Sequence, residues 1–286
     1  MSKHALLVSV SDLAKHRSHG NWIIVDCRHD LMQPGAGRAA YQFSHIPGAV
    51  FVDVDLDLSA PKTGKNGRHP LPDPEEFAAR MAMLGLDQDA QIVAYDASGG
   101  IYAARFWWML RWIGHANVAV LDGGFGAWTS AGLPVESGEN RRAAGRLSCE
   151  LRRQSTVSAE DLLAKDASWQ VVDARTAERY AGIGETLDPV AGHIPGARNR
   201  FYMRNLTQHG FFRPAPELVA DWQDVIGDTP TAQLVMQCGS GITACHNLLS
   251  LELAGISGVR LYPGSWSEWC SDASRPIATG PQPGTM

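Results

Sequence analysis

The chain repeats itself once. WIIVDCR at Trp22 to Arg28 returns as WQVVDAR at Trp169 to Arg175, so Asp26 and Asp173 stand 147 positions apart, about half of the 286 residues. Three further landmarks follow in the same order in each half. SHIPGAV at Ser44 to Val50 matches GHIPGAR at Gly192 to Arg198, QIVAYDASGG from Gln91 matches QLVMQCGSG from Gln233, and LDGGFGAW from Leu121 matches LYPGSWSEW from Leu261. Four landmarks at a nearly constant offset describe a duplicated domain, and each half is long enough to bury its own core.

Within a half, short apolar runs alternate with amphipathic stretches. Strands are expected near Ile23 to Asp26, Ile92 to Tyr95 and Val118 to Leu121, and a helix near Tyr102 to Ile113. Ser158 followed three residues later by Asp161 predicts an N-cap that opens the first helix of the second half, which places the boundary between Pro134 and Val157. The division drawn is 1–140 for the first domain, 141–156 for a linker and 157–286 for the second. Strands separated by helices need crossover connections, so the fold class is α/β, with mainly parallel sheets covered by helices on both faces. Ligands in such folds sit beyond the carboxyl ends of the strands.

Composition excludes several classes. Hydrophobic residues at 44% and charged residues at 19% are ordinary globular values, which argues against disorder or a fibre. A net charge of -5 gives no global reason to bind nucleic acid, and Arg141, Arg142, Arg146, Arg152 and Arg153 are read as a solvated linker. The N-terminal MSKHALLVSVSDLAKHRSHG has no leader pattern and no run of about 18 apolar residues occurs, so a cytoplasmic location without membrane partners is expected. The cysteines Cys27, Cys149, Cys238, Cys245 and Cys270 form an odd set with no CxxC pair, which fits a reactive thiol better than a disulfide framework or a zinc site. Asp53, Asp55 and Asp57 alternate as in a calcium loop but lack the glycine and glutamate such a loop needs, so neither a metal nor a cofactor is expected.

Residues common to both halves are most simply structural, and residues confined to one half are candidates for function. Asp26 and Asp173, Arg28 and Arg175, His45 and His193, and Pro47 and Pro195 belong to the first group. Cys238 belongs to the second, since Asp96 holds its place in the first half. In CGSGITA, Gly239 and Gly241 let the backbone N–H groups curl inward just before a helix, an arrangement that favours a thiolate or the outer sulfur of a persulfide. Gly239, Gly241, Ile242 and Thr243 are accordingly expected to face the substrate. Cys27 and Cys245 read as core thiols, Cys270 has no clear assignment, and Trp107, Trp108 and Trp112 have the spacing of a packed helix face.

Together, the HIPGA motifs, the duplication and CGSGITA resemble the tandem rhodanese family over essentially the whole chain. That resemblance implies an inactive first domain and a second domain whose cysteine carries transferable sulfur. The loop is similar to the CGSGVTA of 3-mercaptopyruvate sulfurtransferases rather than the CRKGVTA of thiosulfate sulfurtransferases. A dianionic donor favours cations in the loop, whereas Gly239 and Ser240 supply hydrogen bonds and space. The carboxylate of a mercapto acid then needs a cation elsewhere. Arg179, opposite Met32 at the 147 offset, is that candidate, and the family also places a substrate arginine there. A second family arginine, in an EPR motif, is absent: Asp188 to Val190 reads DPV. Arg198, Arg200 and Arg204 are the substitutes considered.

The expected reaction is attack of the Cys238 thiolate on the donor sulfur, release of pyruvate or sulfite, and transfer of the outer sulfur to a thiol, thioredoxin or cyanide. By resemblance, Ser240, His69 in GRHPLP and Asp55 in FVDVDLD form a Ser-His-Asp group beside Cys238, with both domains contributing. On the residues alone, His69 is equally a solvated loop histidine and Asp55 a surface charge. Phosphatase chemistry also uses a cysteine in an N–H cradle but needs an arginine six residues later, where Ala244 stands. A noncatalytic binding module is the remaining class, and it is disfavoured because Cys238 is present.

Overall fold

The computed structural model describes residues 6–164 and 168–285, so the first five residues of the N-terminal stretch lie outside it. The chain divides into two units that are not contiguous in sequence. The first contains residues 6–60, 71–152 and 208–212, and the second contains Pro61–Pro70 with the described parts of Arg153–Thr207 and Arg213–Met286. A linear division with a linker at 141–156 does not anticipate the two exchanged segments, because such a division follows chain order and the units follow packing.

In the first unit five strands, β1 (Leu7–Val8), β2 (Trp22–Asp26), β3 (Val50–Phe51), β4 (Gln91–Tyr95) and β5 (Val118–Leu121), form a parallel sheet in the order β1-β5-β4-β2-β3. Strand alternation splits the buried apolar residues between two faces. Ile24, Val93 and Ala119 pack with Leu13 of α1 (Val10–His16), Tyr41 of α2 (Ala36–Phe43) and Trp128 of α5 (Gly124–Ser130). α3 (Pro74–Met83) follows, and α4 (Ile101–Trp112) lies against β4 and β5, burying Trp107, Trp108 and Trp112 as their spacing predicts. The arginine-rich stretch is not a free linker. Its backbone runs along this unit, with Gln88 N–H donating to Arg146 O at 2.7 Å, Glu150 N–H to Ile113 O at 2.8 Å and Arg152 N–H to Trp112 O at 2.9 Å.

The second unit repeats the plan. β6 (Gln170–Asp173), β7 (Arg198–Asn199), β8 (Leu234–Gln237) and β9 (Arg260–Leu261) pair in the parallel order β7-β6-β8-β9, and Thr156 bridges Leu261 where β1 stands beside β5 in the first copy. α6 (Ala159–Leu163) opens on a Ser158–Asp161 capping box, followed by α7 (Ala177–Ala181). α8 (Ala215–Ile226) packs on α9 (Thr243–Leu253), which covers β8, and α10 (Ser265–Trp269) contributes Trp266 and Trp269 to the other face.

The residues shared by the halves hold the strand ends. Arg175 Nε donates to Asp173 Oδ2 at 3.0 Å and its Nη2 to the same oxygen at 2.7 Å, and Nη2 also reaches Gly192 O at 2.7 Å, tying β6 to the loop before HIPGA. Asp26 and Arg28 repeat this against Ser44 O, with Arg28 Nη2 2.6 Å from Asp26 Oδ2. His45 and His193 each have Nδ1 2.8 Å from a carbonyl, of Tyr41 and Tyr180, and stack on those tyrosine rings. Asp173 is fully buried and Arg175 nearly so. Removing one partner of such a pair strands the other charge at a cost of about 3–5 kcal/mol. Arg175→Met leaves the buried Asp173 without its cation and is therefore expected to lose about that much unfolding free energy in urea denaturation, and a loss below about 1 kcal/mol would show that the pair is dispensable.

Candidate active site

β8 delivers Cys238 into the turn that precedes α9. Two carbonyls of this turn are taken by the start of α10: Trp266 N–H donates to Cys238 O at 3.0 Å and Ser267 N–H to Gly239 O at 2.9 Å. With its carbonyls turned that way and Gly241 in the left-handed region at φ 79°, the turn aims the Gly241 N–H at the cysteine, 3.1 Å from Sγ. Cys238 is only 2% exposed, so the sulfur sits in an enclosure rather than on a surface. The Cys238 N–H donates to Ser265 Oγ at 3.1 Å, and Ser265 Oγ–H donates to Tyr262 O at 2.9 Å.

The first unit shows what the same turn does without a cysteine. Asp96 Oδ1 accepts from the Ser98 and Gly100 N–H groups at 2.7 and 2.9 Å, and Oδ2 from those of Tyr102 and Ala103 at 2.8 and 3.0 Å. Burial pushes the Asp96 carboxyl up and the four amides pull it back, with burial the larger effect. The duplicated turn thus gives four amides to its own carboxylate in one copy and directs one amide, that of Gly241, at a sulfur in the other. Hydrogen bonding also corrects the register of the last landmark. Phe125 N–H donates to Asp96 O as Trp266 N–H does to Cys238 O, and these two rings lie over Arg28 and Arg175. Ser265 therefore stands opposite Gly124, whose φ is 57°, and at φ 54° it is the one non-glycine residue with positive φ among those described. Its hydroxyl bonds to the cysteine turn accompany a conformation that ordinarily selects glycine.

Ser240 and His69 meet. Ser240 Oγ lies 2.7 Å from His69 Nδ1, and both residues are buried. His69 arrives on Pro61–Pro70, which belongs to the second unit. That segment is seated on α10: Arg68 N–H donates to Ser267 Oγ at 3.0 Å, and a Cβ on Gly67 would come within 2.8 Å of Gly264 O. Asp55 belongs to the first unit, its carboxylate 3.9 Å from His29 Nε2. Ile242 is buried beside the turn and the half-buried Thr243 begins α9.

Arg179 stands at this end of the sheet, and it is not alone there. Its Nε and Nη2 each donate to Glu185 at 3.0 Å, and Nη2 also reaches Asp188 Oδ2 at 3.1 Å. The other Asp188 oxygen pairs with Arg68 Nη1. Burial pushes the Glu185 carboxyl up, but the Arg179 hydrogen bond and the Leu187 N–H hold it below its usual range. For Asp188 burial outweighs Arg68, and the carboxyl lies above its usual range. A Cβ placed on Gly239 would sit 2.8 Å from Arg68 Nη2 and 3.6 Å from Arg179 Nη1, so both guanidinium groups border the cysteine turn. Sequence reasoning passed over Arg68, although it adjoins His69 in GRHPLP. Arg198, Arg200 and Arg204 point elsewhere. Arg198 Nη1 donates to Val225 O, Arg200 and Arg204 pair with Asp221, and Arg200 lies over the Trp222 ring at 3.8 Å, its guanidinium pKa pushed down to about 10 by burial. Cys270 is buried at the C-terminal cap of α10, and burial pushes its thiol up, which suits a packed thiol.

Comparisons with known proteins agree with this architecture. A family model described as the rhodanese-like domain matches residues 9–131 and again 156–272. The chain is 44% identical over 280 residues to a probable 3-mercaptopyruvate sulfurtransferase of Pseudomonas aeruginosa, covering 96% of this chain and 99% of that one. It is 36% identical over 281 residues to a putative thiosulfate sulfurtransferase of Mycobacterium tuberculosis, covering 96% and 97%. The solved structure of 3-mercaptopyruvate sulfurtransferase from Leishmania major superposes with a TM-score of 0.86 at 32% identity, over 96% of this chain and 77% of that one. The chain therefore belongs to the rhodanese family of sulfurtransferases, in the form that carries two rhodanese-like domains in tandem.

Proposed function

We propose that this protein moves sulfur from 3-mercaptopyruvate to a thiol or cyanide acceptor through a persulfide on Cys238, with the second domain catalytic and the first an inactive copy. The Cys238 thiolate attacks the donor sulfur, an S–S bond forms, and the C–S bond breaks with its electron pair passing to carbon. The resulting enolate takes up a proton to become pyruvate, and the acceptor then attacks the outer sulfur and releases the thiolate. Gly241 N–H supports sulfur in both states, and Gly239, Ile242 and Thr243 complete the pocket around the donor. Thioredoxin or a small thiol in the cytoplasm is the proposed acceptor.

The observation that carries the choice of donor is the 2.7 Å contact between Ser240 Oγ and His69 Nδ1 in the cysteine turn. Pyruvate leaves as a carbanion equivalent and needs a proton, which a buried serine–histidine pair can deliver, whereas sulfite leaves from thiosulfate without one. On the resemblance alone, Asp55 is the carboxylate of this relay. Thiosulfate is the second reading, favoured by the two guanidinium groups bordering Gly239, which also suit a dianion.

Three measurements test the proposal. In parallel steady-state assays 3-mercaptopyruvate is expected to exceed thiosulfate by more than tenfold in kcat/KM, about 1.4 kcal/mol of transition-state binding. Cys238→Ser is expected to abolish transfer from either donor, and activity in that variant would remove the persulfide mechanism. Ser240→Ala and His69→Asn are each expected to lower kcat with 3-mercaptopyruvate by roughly 10²–10⁴, the usual contribution of a positioned proton donor, and to affect thiosulfate turnover much less. Equal losses with both donors would show that the pair only shapes the loop.

A further inference from the structure

Ser265 holds a backbone conformation that every other non-glycine residue among those described avoids. It is fully buried at φ 54°, and its counterpart in the first copy is Gly124 at φ 57°. Glycine is required there, because a Cβ on Gly124 would stand 2.4 Å from Asp96 O. Ser265 carries the Cβ that Gly124 cannot. Cys238 O accepts from Trp266 N–H at 3.0 Å as Asp96 O accepts from Phe125 N–H at 2.9 Å, yet that Cβ excludes it from the place the Asp96 carbonyl takes. The hydroxyl alters the strand end as well. β8 and β9 pair in parallel with Met236 opposite Leu261, and Tyr262 N–H donates to Met236 O at 3.0 Å. Continued by one step, that ladder joins Cys238 N–H to Tyr262 O. Instead Ser265 Oγ stands between the two, accepting from Cys238 N–H at 3.1 Å and donating to Tyr262 O at 2.9 Å. A left-handed conformation is costly for a residue with a Cβ, and such outliers persist where the surroundings over-determine them, often at functional sites.

From this geometry we propose that Ser265 is a positioning residue for Cys238: in a strained conformation, its Cβ and hydroxyl keep the ends of β8 and β9 one hydroxyl apart where the chain delivers the nucleophile. The proposal rests on the persulfide reading of Cys238 and deepens it. Both hydrogen bonds of Ser265 Oγ go to peptide groups, so it acts on the reaction through the backbone of Cys238. The cysteine peptide is then fixed on both sides, by Trp266 N–H on its carbonyl and Ser265 Oγ on its N–H, while Gly241 N–H meets Sγ at 3.1 Å. A glycine at 265 relieves the backbone but lets the ladder close on Tyr262 O and draws Cys238 with it. Misplacing a reacting atom by about 1 Å can cost roughly 10²-fold in rate. The first copy has no nucleophile to place and keeps the unstrained glycine.

The test compares wild type, Ser265→Gly, Ser265→Ala and Cys238→Ser in steady-state transfer to cyanide from 3-mercaptopyruvate and from thiosulfate. Ser265→Gly is expected to lower kcat at least tenfold with every donor that wild type uses, with KM within threefold, because the displaced group serves all donors. Ser265→Ala is expected to lose as much kcat and to unfold at a lower urea concentration than Ser265→Gly, since it keeps the strain and leaves Cys238 N–H and Tyr262 O unpaired. A kcat within twofold of wild type in Ser265→Gly overturns the proposal, as does a raised KM at unchanged kcat, which would make Ser265 part of donor binding. A crystal structure of Ser265→Gly is expected to show Cys238 N–H donating directly to Tyr262 O, and a turn that superposes on the wild-type turn overturns the positioning role. If Ser265→Gly does not fold, as judged by circular dichroism, the kcat of Ser265→Ala decides by the same threshold. Failure of both to fold overturns the proposal, because the hydroxyl would then be a requirement of the fold. Activity in Cys238→Ser removes the persulfide reading and the role of Ser265 together. An inactive Cys238→Ser beside a fully active Ser265→Gly removes the positioning role alone.

Discussion

Where the peptide groups of the Cys238 turn point is set by the first turn of α10. Trp266 and Ser267 at the start of α10 take the carbonyls of Cys238 and Gly239, Ser265 takes the Cys238 N–H, and Gly241 is left to donate to the sulfur. An amide aimed at sulfur stabilises negative charge without having to reorganise when charge develops. α10 therefore does more than fill the core: its first turn shapes the Cys238 loop, while Trp266 packs under Arg175 at 4.9 Å.

The duplication makes this reading unusually direct, because the two turns are a controlled comparison within one chain. In the first copy the cradle closes on Asp96, with four amides on its two oxygens. Those four donors are committed to the carboxylate. In the second copy the shorter, neutral-capable cysteine side chain occupies the strand end, and Ser265 replaces Gly124 at a left-handed position to hold the turn from outside. The strand-end pairs Asp26–Arg28 and Asp173–Arg175 are alike in both copies, which is why they belong to the scaffold and not to the difference between the domains.

Much of this was legible in the order of residues. The repeat, the parallel α/β plan and the extents of β2, β4, β5 and α4 follow from apolar periodicity and landmark spacing, which are local properties of the chain. Cys238 stood out because Asp96 faced it in the other half, and the Ser158 cap because its partner lies three residues away. Arg68 did not stand out. It lies 171 positions from Gly239 in sequence and has no counterpart in the second half, so no spacing rule connects it with the turn. The arginine-rich stretch was legible only in part: Arg141, Arg142, Arg146 and Arg152 are exposed as their charges suggest, yet the backbone hydrogen bonds run along the first unit.

By itself, then, the sequence determined that two copies of one α/β domain exist, that one of them carries a cysteine in a glycine-rich turn where the other carries Asp96, and that the shared aspartates and arginines serve the scaffold. Each of these is encoded within a few residues or by comparison of one half with the other. Only the tertiary structure decided that Pro61–Pro70 belongs to the second unit, that His69 meets Ser240, and that Asp188 and Glu185 leave two guanidinium edges beside Gly239. Those facts depend on contacts between segments far apart in the chain. Such contacts form because burying apolar surface and pairing buried charges selects one packing among many, and no local pattern records that choice.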